Sequence, residues 1–137
     1  MDRFAKGFVV MSIIYLGIST VMGIVMLGHQ NLLAIKFVHS HLNMLGWVSM
    51  MIYGVGYHIL PRFMGRPLYS ARIAGWHFYL ANVGLLGMLF FYVLNFYAAS
   101  SAYQSLMMAS SILEAISIVL FLYNMLMTLM PGVQTEG

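Results

Sequence analysis

The sequence predicts an all-α integral membrane protein: four transmembrane helices in an antiparallel bundle, with both chain ends on the cytoplasmic side. Three observations carry this. Of 137 residues, 62% are hydrophobic and only 7% charged, where a soluble domain carries about 25% charged residues, and the mean hydropathy is +0.90. The apolar residues gather in four runs, about 7–27, 37–60, 73–96 and 106–130, each near or above the roughly 20 residues a helix needs to cross about 30 Å of hydrocarbon. The basic residues are asymmetric: Arg3 and Lys6 precede the first run and Arg62, Arg66 and Arg72 fill the second connection, against Lys36 alone in the first and none in the third. The positive-inside bias then puts the termini and the second connection in the cytoplasm (N-in/C-in). The expectation is one transmembrane domain over residues 1–137, multi-pass in the cell's inner (cytoplasmic) membrane, with the lipid bilayer as its first partner.

Taken in order, the first run, "FVVMSIIYLGISTVMGIVML", is long, and no small-x-small cleavage site follows before "GHQN", so it reads as a retained anchor. The second run ends at Pro61, and "PRFMGRPLYSAR" then reads as a structured turn. The third and fourth are joined by "YAASSAYQS". The methionines of the fourth run, Met107, Met108, Met125, Met127 and Met130, read as adaptable packing. The closing "PGVQTEG" shows no sign of a further domain. Gly17, Gly23, Gly46, Gly54, Gly56, Gly84 and Gly87 permit close helix approach, which favours a homo-oligomer.

Composition also excludes. Without cysteine there are no disulfides, thiolate metal sites or covalent CxxCH haem attachment. A scattered net charge of +3 does not make a nucleic-acid surface. Any cofactor must be held by histidine, methionine, carboxylate or packing.

Five histidines in so apolar a chain need an account. His41 and His58 are 17 positions apart in one run, about 25 Å along a helix, so no single ligand sits between them. His29, His39 and His41 group near the outer end; His77, a few residues into the third run, returns to the depth of His58. His39 and His41 are two residues apart, about 200° around a helix, and do not face one cofactor together. Imidazole suits transition metals and haem iron. Zinc or copper wants three or four close ligands, which His29, His39 and His41 supply only if the loop folds back, so copper is disfavoured; haem needs one or two. The plainer reading is that these histidines bond between helices or rest at the interface, and it weighs most for His29, His39 and His58. Glu114, in "SSILEAISIVLF", is the carboxylate inside an apolar run and a functional candidate on cost alone; the run's bounds place it in the outer half, a turn or so deeper than His41.

The stretch "HSHLNMLGWVSMMIYGVGYHILPR", residues 39–62, resembles the second transmembrane helix of subunit I in the haem-copper oxidase superfamily, nearest to the nitric oxide reductase and cbb3-type branch. "HFYLANVGLLGM", residues 77–88, resembles the family's third helix, and the likeness extends over about residues 10–95. It implies that His41 is an axial ligand of a non-covalent low-spin haem b, with Asn43 and Leu45 completing the pattern and Tyr57, Leu60 and Pro61 matching the helix exit. Family members have many more helices, a second haem ligand on a late helix and paired histidines for copper and a high-spin haem. Four helices and no His-His pair imply neither a complete oxidase nor a nitric oxide reductase, but at most an electron-transfer component.

If His41 holds haem, the opposite ligand has three candidate sources: His29 or His39, Met26 or Met107, or His41 of a second copy, which puts haem at a subunit interface on a symmetry axis. Asn43 and Glu114 are candidates to support the ligand. A further arrangement pairs His58 with His77 on an inner haem, with Arg62, Arg66 and Arg72 facing its propionates and Lys36 the cation outside; two stacked haems would carry electrons across the membrane, as in a quinol-linked cytochrome b. The expected function is electron transfer in a respiratory or quinol-linked membrane system, with a quinol or redox protein as partner. Two alternatives stand beside it: a haem-based sensor or carrier of diatomic gas, and a haem-free structural or assembly subunit of an oxidase-like complex.

Overall fold

The computed structural model describes residues 2–29 and 31–130; the tail "PGVQTEG" lies outside the described residues. The fold is an all-α bundle of four helical rods. The first is α1 (Arg3–Gly28). The second is unbroken from 33 to 63: α2 (Leu33–His41), a π-helical segment (Leu42–Ser49) and α3 (Met50–Phe63). The third and fourth are α4 (Ala71–Tyr97) and α5 (Ser101–Leu129). Three of them, α1, α4 and α5, are long and apolar enough to cross a membrane.

The ends of the rods have local causes. Pro61 lies inside α3 rather than ending it. The helix closes two residues later in a Schellman turn, in which Arg66 N–H donates to the Pro61 carbonyl and Gly65 N–H to that of Arg62, each at 3.1 Å, with Gly65 at φ +63°, where a side chain would be strained. Ser70 and Ser100 cap α4 and α5, their hydroxyls accepting from Ile73 and Ala102 N–H. The Ser100 cap begins α5 within "YAASSAYQS", five residues before the apolar run at 106. Polar Gln104 and Ser105 therefore occupy its first turns.

Two pairs of rods make the bundle. Along α1 the buried positions Ala5, Phe8, Ser12, Tyr15 and Ser19 recur every three or four residues, the stripe a packed helix face requires. It lies antiparallel to the second rod: a Cβ at Gly54 would stand 2.8 Å from the Ala5 carbonyl oxygen, and one at Gly46 would stand 3.0 Å from Tyr15. The α4–α5 hairpin is tighter. A Cβ at Gly84 would stand 2.6 Å from the Glu114 backbone nitrogen, and one at Gly87 2.6 Å from Ser110 Oγ. Most of the small residues expected to favour association between copies are thus used within the chain; Gly17 meets open space.

At one end of the bundle, the start of α4 is clamped to the end of α5. Asn124 accepts from Ser70 N–H at 3.0 Å and donates to the Ser70 carbonyl at 2.9 Å, while Tyr69 N–H donates to Thr128 Oγ1 at 3.0 Å. Arg62 and Arg66 lie at this same end, here called the arginine face.

Gly84→Ala forces backbone apart at the tightest crossing and is expected to lower the thermal midpoint in detergent, by the equivalent of about 1–3 kcal/mol. Gly17→Ala, with nothing within 4 Å of its Cβ, is expected to leave the midpoint unchanged.

Candidate functional site

His41 ends α2 and is half-buried. Its ring stacks on Phe37, one turn earlier, with centroids 3.9 Å apart and planes at 29°; Phe37 in turn stacks on Tyr92 of α4 at 3.8 Å and 18°. His41 Nδ1 lies 3.0 Å from the Phe37 carbonyl oxygen. A carbonyl only accepts, so Nδ1 carries the hydrogen and Nε2 bears the lone pair. This is the tautomer that an iron-ligating imidazole adopts, fixed by a backbone carbonyl behind the ring. His41 therefore fits one axial bond to haem iron.

His39 is turned the other way. Nδ1 reaches the Ser19 carbonyl at 3.0 Å and the Ser19 hydroxyl at 3.1 Å, and Nε2 accepts from the Asn43 amide at 3.3 Å. Nδ1 ties the second rod to α1, while the Nε2 bond to Asn43 lies within the rod. Asn43 also donates to the His39 carbonyl at 3.0 Å, so its partner is His39 and not His41. His29 is the exposed residue after α1, its N–H closing the last turn onto Val25. Met26 and Met107 are half-buried. Among the described residues, no three of His, Asp and Glu come together to hold a metal ion.

At the arginine face, His58 and His77 hold different partners. Arg62 donates to His58 Nδ1 at 2.6 Å and to the His58 carbonyl. A guanidinium only donates, so His58 Nδ1 accepts and the hydrogen of the neutral ring sits on Nε2, the tautomer opposite to that of His41. His77 is fully enclosed (0% exposed), with the rings of Phe8, Tyr53, Tyr57 and Phe121 at 4.6–5.7 Å. The Tyr57 hydroxyl lies 2.9 Å from His77 Nδ1, and Nε2 has no partner. Arg66 donates to the Met130 carbonyl at 2.6 Å; Arg72 lines a shallow aromatic groove with Phe4, Trp76 and Tyr79. Lys36 is exposed on α2.

Glu114 is 4% exposed and neither carboxyl oxygen has a hydrogen-bond partner. It stands near the midpoint of the 29-residue α5, which starts at Ser101. Tyr15 and Tyr53 lie within electrostatic reach of it, and Tyr15 donates to Asn82 Oδ1 at 2.7 Å.

The sequence reading missed Phe37, Tyr92 and Ser19. Phe37 and Ser19 were findable in principle: Phe37 precedes His41 by four residues, the spacing at which helical side chains meet, and Ser19 continues the α1 stripe. Tyr92 carries no local signal, since only the packing of α4 brings it there.

Relatives place this chain beside respiratory membrane proteins. Over 85 aligned residues, 56% of the chain, it is 39% identical to the cytochrome c oxidase subunit 1 of Rhodobacter capsulatus. Over the same share it is 35% identical to the cytochrome c oxidase subunit 1 homolog of Agrobacterium tumefaciens and to the Cbb3-type cytochrome c oxidase subunit CcoN1 of Stutzerimonas stutzeri. No protein-family model matches the chain, and no solved structure does. The matches take in 16%, 15% and 18% of those three proteins. The chain thus spans about a sixth of the length of the curated relatives it matches, and it is a partial homologue of the haem-copper oxidase subunit I family.

Proposed function

We propose that this chain is a membrane cytochrome component that holds one haem b through His41 Nε2 and serves electron transfer in a respiratory or quinol-linked system. The observation that carries the reading is the Phe37 carbonyl behind His41, which leaves the ligating nitrogen with its lone pair, at the position where the family resemblance puts an axial histidine. Bound haem would supply reversible one-electron exchange at its iron, with axial ligation and burial setting the potential. The chain's part is to fix the imidazole's tautomer and its plane, through Phe37 and Tyr92, and to keep the site in an apolar setting.

His39 is spent on Ser19 and Asn43, which leaves His29, Met26, Met107 or His41 of a second copy as sources of the opposite axial ligand, and we take the second copy, with haem between two chains. We further assign the second rod as a membrane crossing, giving one domain of four crossings. The arginine face is assigned to the cytoplasm of an inner-membrane protein, following the bias of Arg3, Lys6, Arg62, Arg66 and Arg72. A second reading, a sensor or carrier of diatomic gas, is favoured by the same engagement of His39: with no second ligand bound, one iron position is open to gas.

Protein purified in mild detergent is expected to give a b-type reduced-minus-oxidised spectrum that His41→Ala abolishes. A pyridine haemochrome assay per polypeptide should give half a haem per chain where two copies share it. Absence of haem after expression with ample supply would overturn the reading. Carbon monoxide that leaves the reduced spectrum unchanged speaks for electron transfer, and a shift for the gas-binding role.

His39→Ala is expected to keep the b-type spectrum while lowering the thermal midpoint, because it removes the ring's bonds to Ser19 and Asn43, each worth about 0.5–1.5 kcal/mol. Loss of the spectrum in His39→Ala, with the fold intact, would move the ligand from His41 to His39.

A further inference from the structure

The first two turns of α1 and α4 meet ring against glycine. Phe4 lies over Gly75, where a Cβ would stand 2.9 Å from the ring, and Phe78 lies over Gly7, where one would stand 3.0 Å away. This exchange of rings fixes the spacing of the two helices. It leaves a groove of about 430 Å³, lined by Phe4, Ala71, Arg72, Gly75, Trp76 and Tyr79, a volume within the roughly 300–1,000 Å³ of small-molecule sites. Tyr79 braces the Phe4 ring edge-on, with centroids 6.2 Å apart. Trp76 and Tyr79 are themselves 62% and 51% exposed, so a ligand can reach both rings.

The groove has a cationic head. Arg72 lines it, and the Arg3 guanidinium stands 5.9 Å from the centroid of the Phe4 ring. Arg62 and Arg66, on the same face, each donate to an atom of the chain itself. Among the described residues the Arg72 side chain has no hydrogen bond or ion pair, and that of Arg3 has its ring contact alone. The described carboxylates lie elsewhere: Glu114 in the middle of α5, and Asp2 in the pocket that Arg62 and Arg66 line.

Away from the arginine face the groove runs on as an apolar track. Arg72, Trp76, Tyr79, Val83, Leu86 and Phe90 recur at intervals of three and four residues, all within about 40° of one line along the helix. Val83, Leu86 and Phe90 are exposed and carry the track about 16 Å beyond Tyr79. An aromatic belt accounts for Trp76 and Tyr79 at a membrane edge, and the positive-inside bias accounts for Arg72. Neither calls for a glycine-floored groove that ends at two guanidiniums with no anion opposite them.

We propose that this groove is a binding site for one anionic phospholipid. Its phosphate pairs with Arg72 and Arg3, its glycerol lies beside Trp76, and one acyl chain runs over Gly75 and Tyr79 along Val83, Leu86 and Phe90. A guanidinium holds phosphate through parallel N–H donors, and a basic site between helices on the cytoplasmic side suits an anionic headgroup. A zwitterionic lipid brings its own cation to the two arginines and gains less there. The site lies at the end of the bundle away from His41 and does not depend on haem.

Tryptophan quenching by brominated lipids tests this. Trp47 and Trp76 are the two tryptophans, so Trp47→Phe leaves Trp76 as the reporter. The full-length protein is placed in phosphatidylcholine bilayers, and either phosphatidylglycerol or phosphatidylcholine with brominated acyl chains is titrated in. Half-quenching is expected at a severalfold lower mole fraction of the phosphatidylglycerol. Arg72→Gln is expected to abolish that preference. Arg62→Gln, which takes the same charge from the same face but from a residue bonded to His58, is expected to keep it. Equal quenching by the two lipids would overturn the proposal, leaving ordinary boundary lipid, and so would a Trp76 that neither lipid quenches, the mark of a face covered by a second copy. Equal loss of preference in Arg72→Gln and Arg62→Gln would also overturn it, assigning the effect to the charge of the whole face. Native mass spectrometry reads the same preference in the unaltered chain: phosphatidylglycerol retained over phosphatidylcholine supports the site, and equal retention counts against it.

Discussion

Helices in lipid gain nothing from hiding apolar faces against one another, so the polar pairs and the closest backbone contacts decide how they sit. Here one such pair governs the rest: His39 held by Ser19. With Nδ1 on the Ser19 carbonyl, the rotation of the second rod is set against α1, and Asn43, four residues on in the same rod, holds the other side of the ring. Two residues on, about 200° around the helix, His41 must point away from α1, and it is received there by the Tyr92–Phe37 stack. The glycine contact at Gly54 then sets the distance between the rods where the polar clamp sets their angle. The α4–α5 hairpin repeats the division of labour, with Asn124 and Thr128 clamping one end and Gly84 setting the spacing at its middle.

The same logic separates three imidazoles that look alike in sequence. His41 faces a carbonyl, His58 a guanidinium and His77 a phenol. A carbonyl forces a hydrogen onto Nδ1, a guanidinium forbids it, and a hydroxyl permits either. The three rings are thus distinguished by the atom behind each of them rather than by their place along the chain. For His41 that atom belongs to its own helix one turn back, so the tautomer is set before any tertiary contact forms.

Hydropathy made the four rods legible because each apolar run is long and bounded by polar connections. It could not see their ends. "YAASSAYQS" reads as a loop by polarity, yet Ser100 caps a helix there, so α5 begins five residues before the apolar run. The π segment at 42–49 has no compositional mark either; it shows itself only in backbone pairing and in Ser49 donating to Met44, five residues back. The opposed directions of His39 and His41 follow from helical angle alone, but what each meets depends on α1 and α4. Asn43, assigned by pattern to the neighbourhood of His41, is taken by His39 because the i,i+4 spacing brings those two together. Glu114 and His77 stood out as costly residues, and only the packed α4–α5 seam, with Gly84 under one and Phe121 beside the other, shows where each is held.

The outward direction of His41 has a thermodynamic corollary on the proposed reading. A haem bound through one imidazole on the rim of a bundle gains its second axial bond only when another chain docks, so cofactor affinity and chain association share one free energy. Whatever strengthens docking then tightens haem binding by the same factor, and haem in turn stabilises the docked state by mass action. Most of the glycines are consumed in contacts within the chain, and Gly17 is left open. On this reading the docking edge includes the half-buried His41, Phe37 and Tyr92, an aromatic surface of the kind that welcomes a porphyrin face. The residue that fixes the fold's rotation, His39, therefore also fixes where a partner must come from, and it does so without touching the cofactor.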